Sequence, residues 1–235
     1  AAQLVSANDC DWEIWARARI IKAKVIWRSD EQDGAQRAID SLKSDIAQAG
    51  SPHPQIAGLL HLQIAYLYNK VKREYLNALA HYEKARQSHE NGFKAIGKNS
   101  GQFLYKPLAN MYTRLGESDK AVNLLQIARD SSIGQRDTAS IPEIYCDLGR
   151  AFMDVGNLTS ACNNYDTGLQ YSLQNPGGSE ERITDVRTQL LSNWAEAMWR
   201  AGDPDSARTL ANRSLEYDPE NPEALLILGE VECQK

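Results

Sequence analysis

An all-α fold of stacked helical hairpins is predicted by three observations. Apolar residues recur at helical spacing in segment after segment. Gly- or Pro-containing breaks such as Ser51-Pro52-His53-Pro54 and Asn175-Pro176-Gly177-Gly178 separate those segments. A small residue recurs near the middle of alternate segments, at Ala65, Ala109, Gly149, Ala195 and Gly229, with separations of 44, 40, 46 and 34 residues. The stretch Tyr145–Tyr165 shows the unit most plainly: two short helices joined at Val155-Gly156-Asn157, with Gly149 and Ala161 small enough for close backbone approach. Tyr145, Phe152 and Tyr165 fill the space around them.

In chain order, residues 1–50 read as an atypical hairpin that caps the stack. Trp12, Trp15, Ile20, Ala23 and Trp27 mark its first helix, although Lys22 and Lys24 interrupt the stripe. Ala35, Ala38, Ile39, Leu42 and Ile46 mark its second. Residues 51–235 carry the array, with hairpins at about 53–95, 100–133, 140–174 and 180–217 and a final helix at 222–233. In the 53–95 hairpin, Ile64, Ala65 and Tyr68 face Ala78, Tyr82 and Ala85, and its turn from Lys70 to Glu74 has one extra residue and no glycine. The next has Tyr105, Leu108, Ala109, Tyr112, Gly116, Ala121 and Ala128. The last full hairpin has Leu191, Trp194, Ala195, Gly202, Ala207 and Ala211. Leu225, Leu228 and Gly229 give the closing helix an apolar face that covers the last hairpin. No hairpin can bury its apolar face alone, whereas stacking buries a continuous core.

The spacing in Tyr145–Tyr165, a large residue, then Leu148-Gly149 and Phe152, then Ala161 and Tyr165, resembles the tetratricopeptide repeat (TPR). The intervals exceed 34 residues except the last, which is similar to the longer-repeat variety of kinesin light chains. The resemblance implies a TPR-type α-solenoid of about five hairpins plus a C-terminal capping helix, wound as a right-handed superhelix, with first helices lining a concave groove. It implies a non-enzymatic scaffold for a protein or peptide partner. The groove positions that it implies are Tyr66 and Asn69 in the second hairpin and Lys106, Asn110 and Arg114 in the third. The fourth contributes Asp147, Arg150 and Asp154; the fifth contributes Asn193, Glu196, Trp199 and Arg200. Lys70, Thr113, Glu143, Cys146 and Gln189 are further groove positions that it implies. Amide side chains there suit a peptide backbone, and guanidinium groups suit carboxylates. Lys106 and Asn110 match part of the clamp with which some TPR domains hold a chaperone's C-terminal carboxylate, but Asp147, Gln189 and Asn193 do not, so that ligand is not expected. The run Tyr105–Leu215 also resembles the TPR region that precedes caspase-like CHAT domains in bacteria, which implies the regulatory segment of a larger cysteine peptidase as an alternative. Self-association through the ends of the stack is a third reading, carried by Leu226, Ile227 and Val231 or by the Trp-rich N-terminal end.

Composition narrows the chemistry. The 26 basic and 31 acidic residues are interspersed, which gives no footprint for nucleic acid. No apolar run is long enough to insert in a membrane, and no leader pattern opens the chain at Ala1-Ala2-Gln3. Cys10, Cys146, Cys162 and Cys233 are read as free thiols, consistent with a cytoplasmic setting. Gly92–Lys98 matches a phosphate-binding loop in outline, but Asn99 replaces the Mg²⁺-ligating Ser/Thr and no strand precedes it, so a linker is expected. His53, His61, His81 and His89 form no zinc-binding pair at i, i+4, and His61 is assigned to the core. Asn157 and Asn212 fit the glycosylation acceptor pattern by chance. No cofactor, metal or catalytic residue is expected.

Overall fold

A computed structural model describes residues 9–29, 33–49, 54–89 and 100–233. All regular structure among these residues is helical. The Gly92–Lys98 loop, His53, and the side chains of Trp12, Cys10 and His89 lie outside the described set. The chain forms two compact units, residues 1–98 and 99–235.

The first unit holds α1 (Asp9–Ser29), α2 (Gly34–Ala49), α3 (Pro54–Tyr66) and α4 (Tyr75–His89). α1 pairs with α2 and α3 with α4, while α3 also packs on α1 and α2. Ala16, Ile20, Ala23, Ile39, Leu42, Leu60, Ile64, Ala65 and Tyr82 form its interior. Trp15 and Trp27 are half-buried. Arg19 stacks on the Trp15 ring with 4.9 Å to its centroid, and Trp27 meets Tyr66 edge-on. The turn between α3 and α4 is irregular. A π-helical turn (Leu67–Lys72) absorbs the extra residue, and Arg73 closes it with φ 56°, where a glycine would be unstrained.

The second unit continues with a π-helical turn (Gly101–Tyr105) that runs into α5 (Lys106–Arg114), then α6 (Ser118–Gly134), α7 (Ile141–Asp154), α8 (Leu158–Gln174), α9 (Glu180–Arg200), α10 (Pro204–Tyr217) and α11 (Pro222–Cys233). Each helix packs on its sequence neighbour. The first helices also touch one another, α5 on α7, α7 on α9 and α9 on α11, so they form one layer. The turns after α5, α7 and α9 are the same structure three times. Gly116, Gly156 and Gly202 sit at φ 76°, 77° and 83°. The next residue's N–H bonds back to Tyr112, Phe152 and Met198 carbonyls at 2.9, 2.8 and 3.0 Å, which satisfies the last turn of each helix. Asn157 and Asp203 then cap the following helices by accepting bonds from the Ser160 and Ser206 N–H groups, both at 3.0 Å. Asn157 is thus a helix cap.

The small residues Ala65, Ala109, Gly149 and Ala195 are fully buried where helices cross. Gly149 is the tightest: a Cβ there would stand 2.2 Å from the Tyr165 ring. Gly229 differs. It is exposed and nothing lies within 4 Å of where its Cβ would be. The closing helix instead turns Ala224, Ile227 and Val231 inward, because those are the residues that meet α9 and α10. Ile227 and Val231 are therefore core, and only Leu226 of the three expected surface residues is exposed.

Candidate functional site

The register that buries Ala109, Gly149 and Ala195 places the residues one and five positions later on the outer side of the first-helix layer. On α5 these are Asn110 and Arg114, on α7 Arg150 and Asp154, on α9 Glu196 and Arg200. All six line one open cleft of about 400 Å³, joined by Thr113, Asp147, Met153 and Asn193. The cleft belongs wholly to the second unit. Three guanidinium groups and three carboxylates lie along it with two amides between them.

The charges are already partly satisfied. Arg150 pairs with Asp147 one turn earlier on α7, and Arg200 with Glu196 on α9. Asp154 accepts a bond from the Ser118 hydroxyl at 3.4 Å. Arg200 is exposed and Glu196 partly so, and that pair can be exchanged for ligand contacts at small cost; Arg150 is exposed but its partner is not. Asp147 is the buried member, with Lys106 Nζ 3.9 Å from its Oδ2. Beside the cleft, Glu143 on α7 bonds Lys106 of α5 and, at 2.5 Å, Arg182 of α9. Burial opposes ionisation of Glu143, but the Lys106 and Arg182 charges outweigh it and hold its carboxyl below the usual carboxylate range. These ion pairs fasten three successive first helices and so hold the cleft's walls in register.

Below the cleft the layer is inert. Burial pushes the Cys146 thiol up to about 11, and its Sγ accepts a bond from the Asn193 amide at 3.3 Å. Met153 forms an apolar patch of the floor, its Sδ bonded by the Tyr165 hydroxyl at 3.3 Å. Cys146, Cys162 and Cys233 carry no disulfide. No group of three or more potential metal ligands occurs among the described residues.

Of the twelve groove residues read from the sequence, eight meet in this cleft: Asn110, Arg114, Asp147, Arg150, Asp154, Asn193, Glu196 and Arg200. Four do not. Lys106 is paired with Glu143 and Asp147 and does not line the cleft. Trp199 packs against the core. Tyr66 and Asn69 are in the first unit, where Tyr66 meets Trp27 and Asn69 bonds Tyr82. Thr113 and Met153 share one register position, four residues after the small one, so the repeat pattern could have found Met153.

In the first unit His61 Nδ1 and His81 Nδ1 lie 3.0 Å apart, with Tyr68 stacked on His81. Burial lowers both rings to about 4, and for His81 the neighbouring His61 and the Lys84 and Lys43 charges act in the same direction. His61 is half-buried, and its partner is another imidazole rather than a purely apolar core.

Residues 193–235 match the tetratricopeptide repeat family. No curated protein matches the chain significantly. Solved structures match its fold at low identity. YrrB, described as a TPR protein with an unusual peptide-binding site, is 17% identical with a TM-score of 0.63, covering 88% of each chain. A kinesin-light-chain-type protein of Podosopora anserina with nearly identical TPR-like repeats is 16% identical with a TM-score of 0.66, covering 86% of this chain and 93% of that one. The fold is the tetratricopeptide-repeat fold. The quorum sensor NprR, in its complex with its cognate peptide NprX, also matches the fold, at 15% identity and a TM-score of 0.64, over 94% of this chain and 63% of NprR. No described helix is long and apolar enough to cross a membrane.

Proposed function

We propose that this TPR chain is a non-catalytic recognition scaffold whose second unit binds an extended peptide segment of a partner protein. The observation that carries this reading is the convergence of Asn110, Arg150 and Glu196, and of Arg114, Asp154 and Arg200, from three successive repeats onto one cleft. Asn110 and Asn193 suit a peptide backbone, since an amide both donates and accepts. The row Arg114, Asp154, Arg200 alternates in sign, so it favours a segment carrying acidic residues on either side of a basic one. The peptide-binding descriptions of YrrB and NprR lend support by likeness of fold. Because the Arg200–Glu196 pair is shallow, a ligand can displace it without stranding a buried charge, and Lys106 stays beside Asp147 when Arg150 turns to the ligand.

The test is selection of peptides from a displayed library on the intact chain, followed by titration of the best binder. Asn110→Ala with Arg150→Ala is expected to weaken binding at least about tenfold, with helicity unchanged. Unchanged affinity would remove the cleft as the site.

A further inference from the structure

Two helices leave an apolar stripe uncovered, and the stripes are opposite in charge. On α1, Ile14, Ile21 and Val25 are 64%, 61% and 61% exposed, and Ala18 lies between them on the same line. Their spacing of i, i+4, i+7 and i+11 puts them on one face, opposite the buried Ala16, Ile20 and Ala23. Lys22, Lys24 and Arg28 flank the stripe and are exposed, and from Ile14 to Ser29 the helix holds no acidic residue. On α11 the outward face is Leu225 (49% exposed), Leu226 (62%), Gly229 and Cys233, again opposite the buried Ala224, Ile227 and Val231. Glu223 and Glu230 flank it, exposed, and Glu232 is paired with Arg208; the helix holds no basic residue.

The geometry points to a second copy of this chain as the occupant: the α11 face of one molecule docks on the α1 face of the next. Two α11 faces would bring like-charged glutamates together, and two α1 faces would bring cations together, so neither stripe suits its own kind. Across the mixed pair, cations meet glutamates around an apolar centre. Ala18 and Gly229 are the small residues that let the two rods approach, as Ala and Gly do where helices cross inside each hairpin. The contact joins different surfaces of identical molecules, so it can repeat from copy to copy. It uses no residue of the peptide cleft.

The experiment is sedimentation velocity of the intact chain in reductant, from micromolar to submillimolar concentration, at low and high salt. The mass is expected to grow with concentration at low salt and to return toward monomer when salt screens the flanking charges. Lys22→Glu/Lys24→Glu and, separately, Glu223→Lys/Glu230→Lys should each raise the dissociation constant at least about tenfold, since each places like charges across the contact. Mixing the two variants should restore association, because each reversed face then meets its complement. All four positions are exposed, so circular dichroism should show unchanged helicity. A wild-type chain that stays monomeric throughout, association that survives in either variant alone, or a mixture that fails to recover would each overturn the assignment.

Discussion

The α3–α4 hairpin and the α7–α8 hairpin perform the same task by different means. In α7–α8, Gly156 takes the left-handed backbone and Gly149 lets Tyr165 close over it, so the turn is short and the crossing tight. In α3–α4 the turn has no glycine. A π-helical turn takes up one extra residue, Arg73 adopts the left-handed conformation, and the buried Ala65 puts a methyl group at the crossing where Gly149 has none. The contact between its helices is also less apolar, with His61 standing where α5 begins beside Tyr105 and α7 carries Tyr145, and meeting His81 of α4. The repeat thus tolerates a changed turn and a polar contact as long as a small residue stays at the crossing.

The two hairpins differ most at the helix crossing. Gly149→Leu should destabilise the second unit by about 3 kcal/mol, because even its Cβ would overlap the Tyr165 ring and the packed interior cannot move aside. Ala65→Gly, the opposite exchange in the first unit, should cost only about 1 kcal/mol through helix propensity. Urea unfolding of each variant measures both, and equal effects would mean that the two crossings are not differently packed.

Acidification should separate the units next. Both His61 and His81 have folded pKa values near 4 against 6.5 when unfolded. The unfolded chain therefore takes up protons first, and their contribution is present above pH 6.5 and lost as pH falls toward 4. One Nδ1–H can serve the other ring's lone pair when both are neutral, whereas two protonated rings face each other beside Lys84 and Lys43. After discounting for their half-exposed setting, the loss at pH 5.5 should be about 1 kcal/mol for the pair. Hydrogen exchange followed by unit should show it in α3 and α4. His61→Phe should remove about half of that pH dependence, since burial still lowers His81, and retention of the full dependence would exclude the pair as its source.

The smallest effects lie in the turns. Arg73→Gly should stabilise the first unit by about 1 kcal/mol by relieving a left-handed non-glycine residue, and Gly156→Ala should destabilise the second by a similar amount. Thermal melts of the two variants should move in opposite directions.

Much of this was legible in the sequence because the repeat ties each residue's place to its neighbours. Gly149 with Tyr165, the glycine turns and the outward row from Asn110 to Arg200 all follow from one register. What the register could not show was which polar residues are already engaged. Lys106 and Asn193 both precede the small residue of their helices, yet Glu143 holds the first in an inter-helix ion pair while the second bonds Cys146 and still lines the cleft. Gly229 keeps the repeat's spacing but is exposed, because no helix in the described residues packs on that side of α11.

Spacing along each helix fixes the helices, their pairing and most of the cleft's lining, since it decides which side chains share a face. Long-range packing settles which charges cancel locally, that His61 meets His81, and which apolar stripes stay uncovered. Those outcomes depend on residues distant in sequence arriving at the same place, and a one-dimensional pattern carries no record of that.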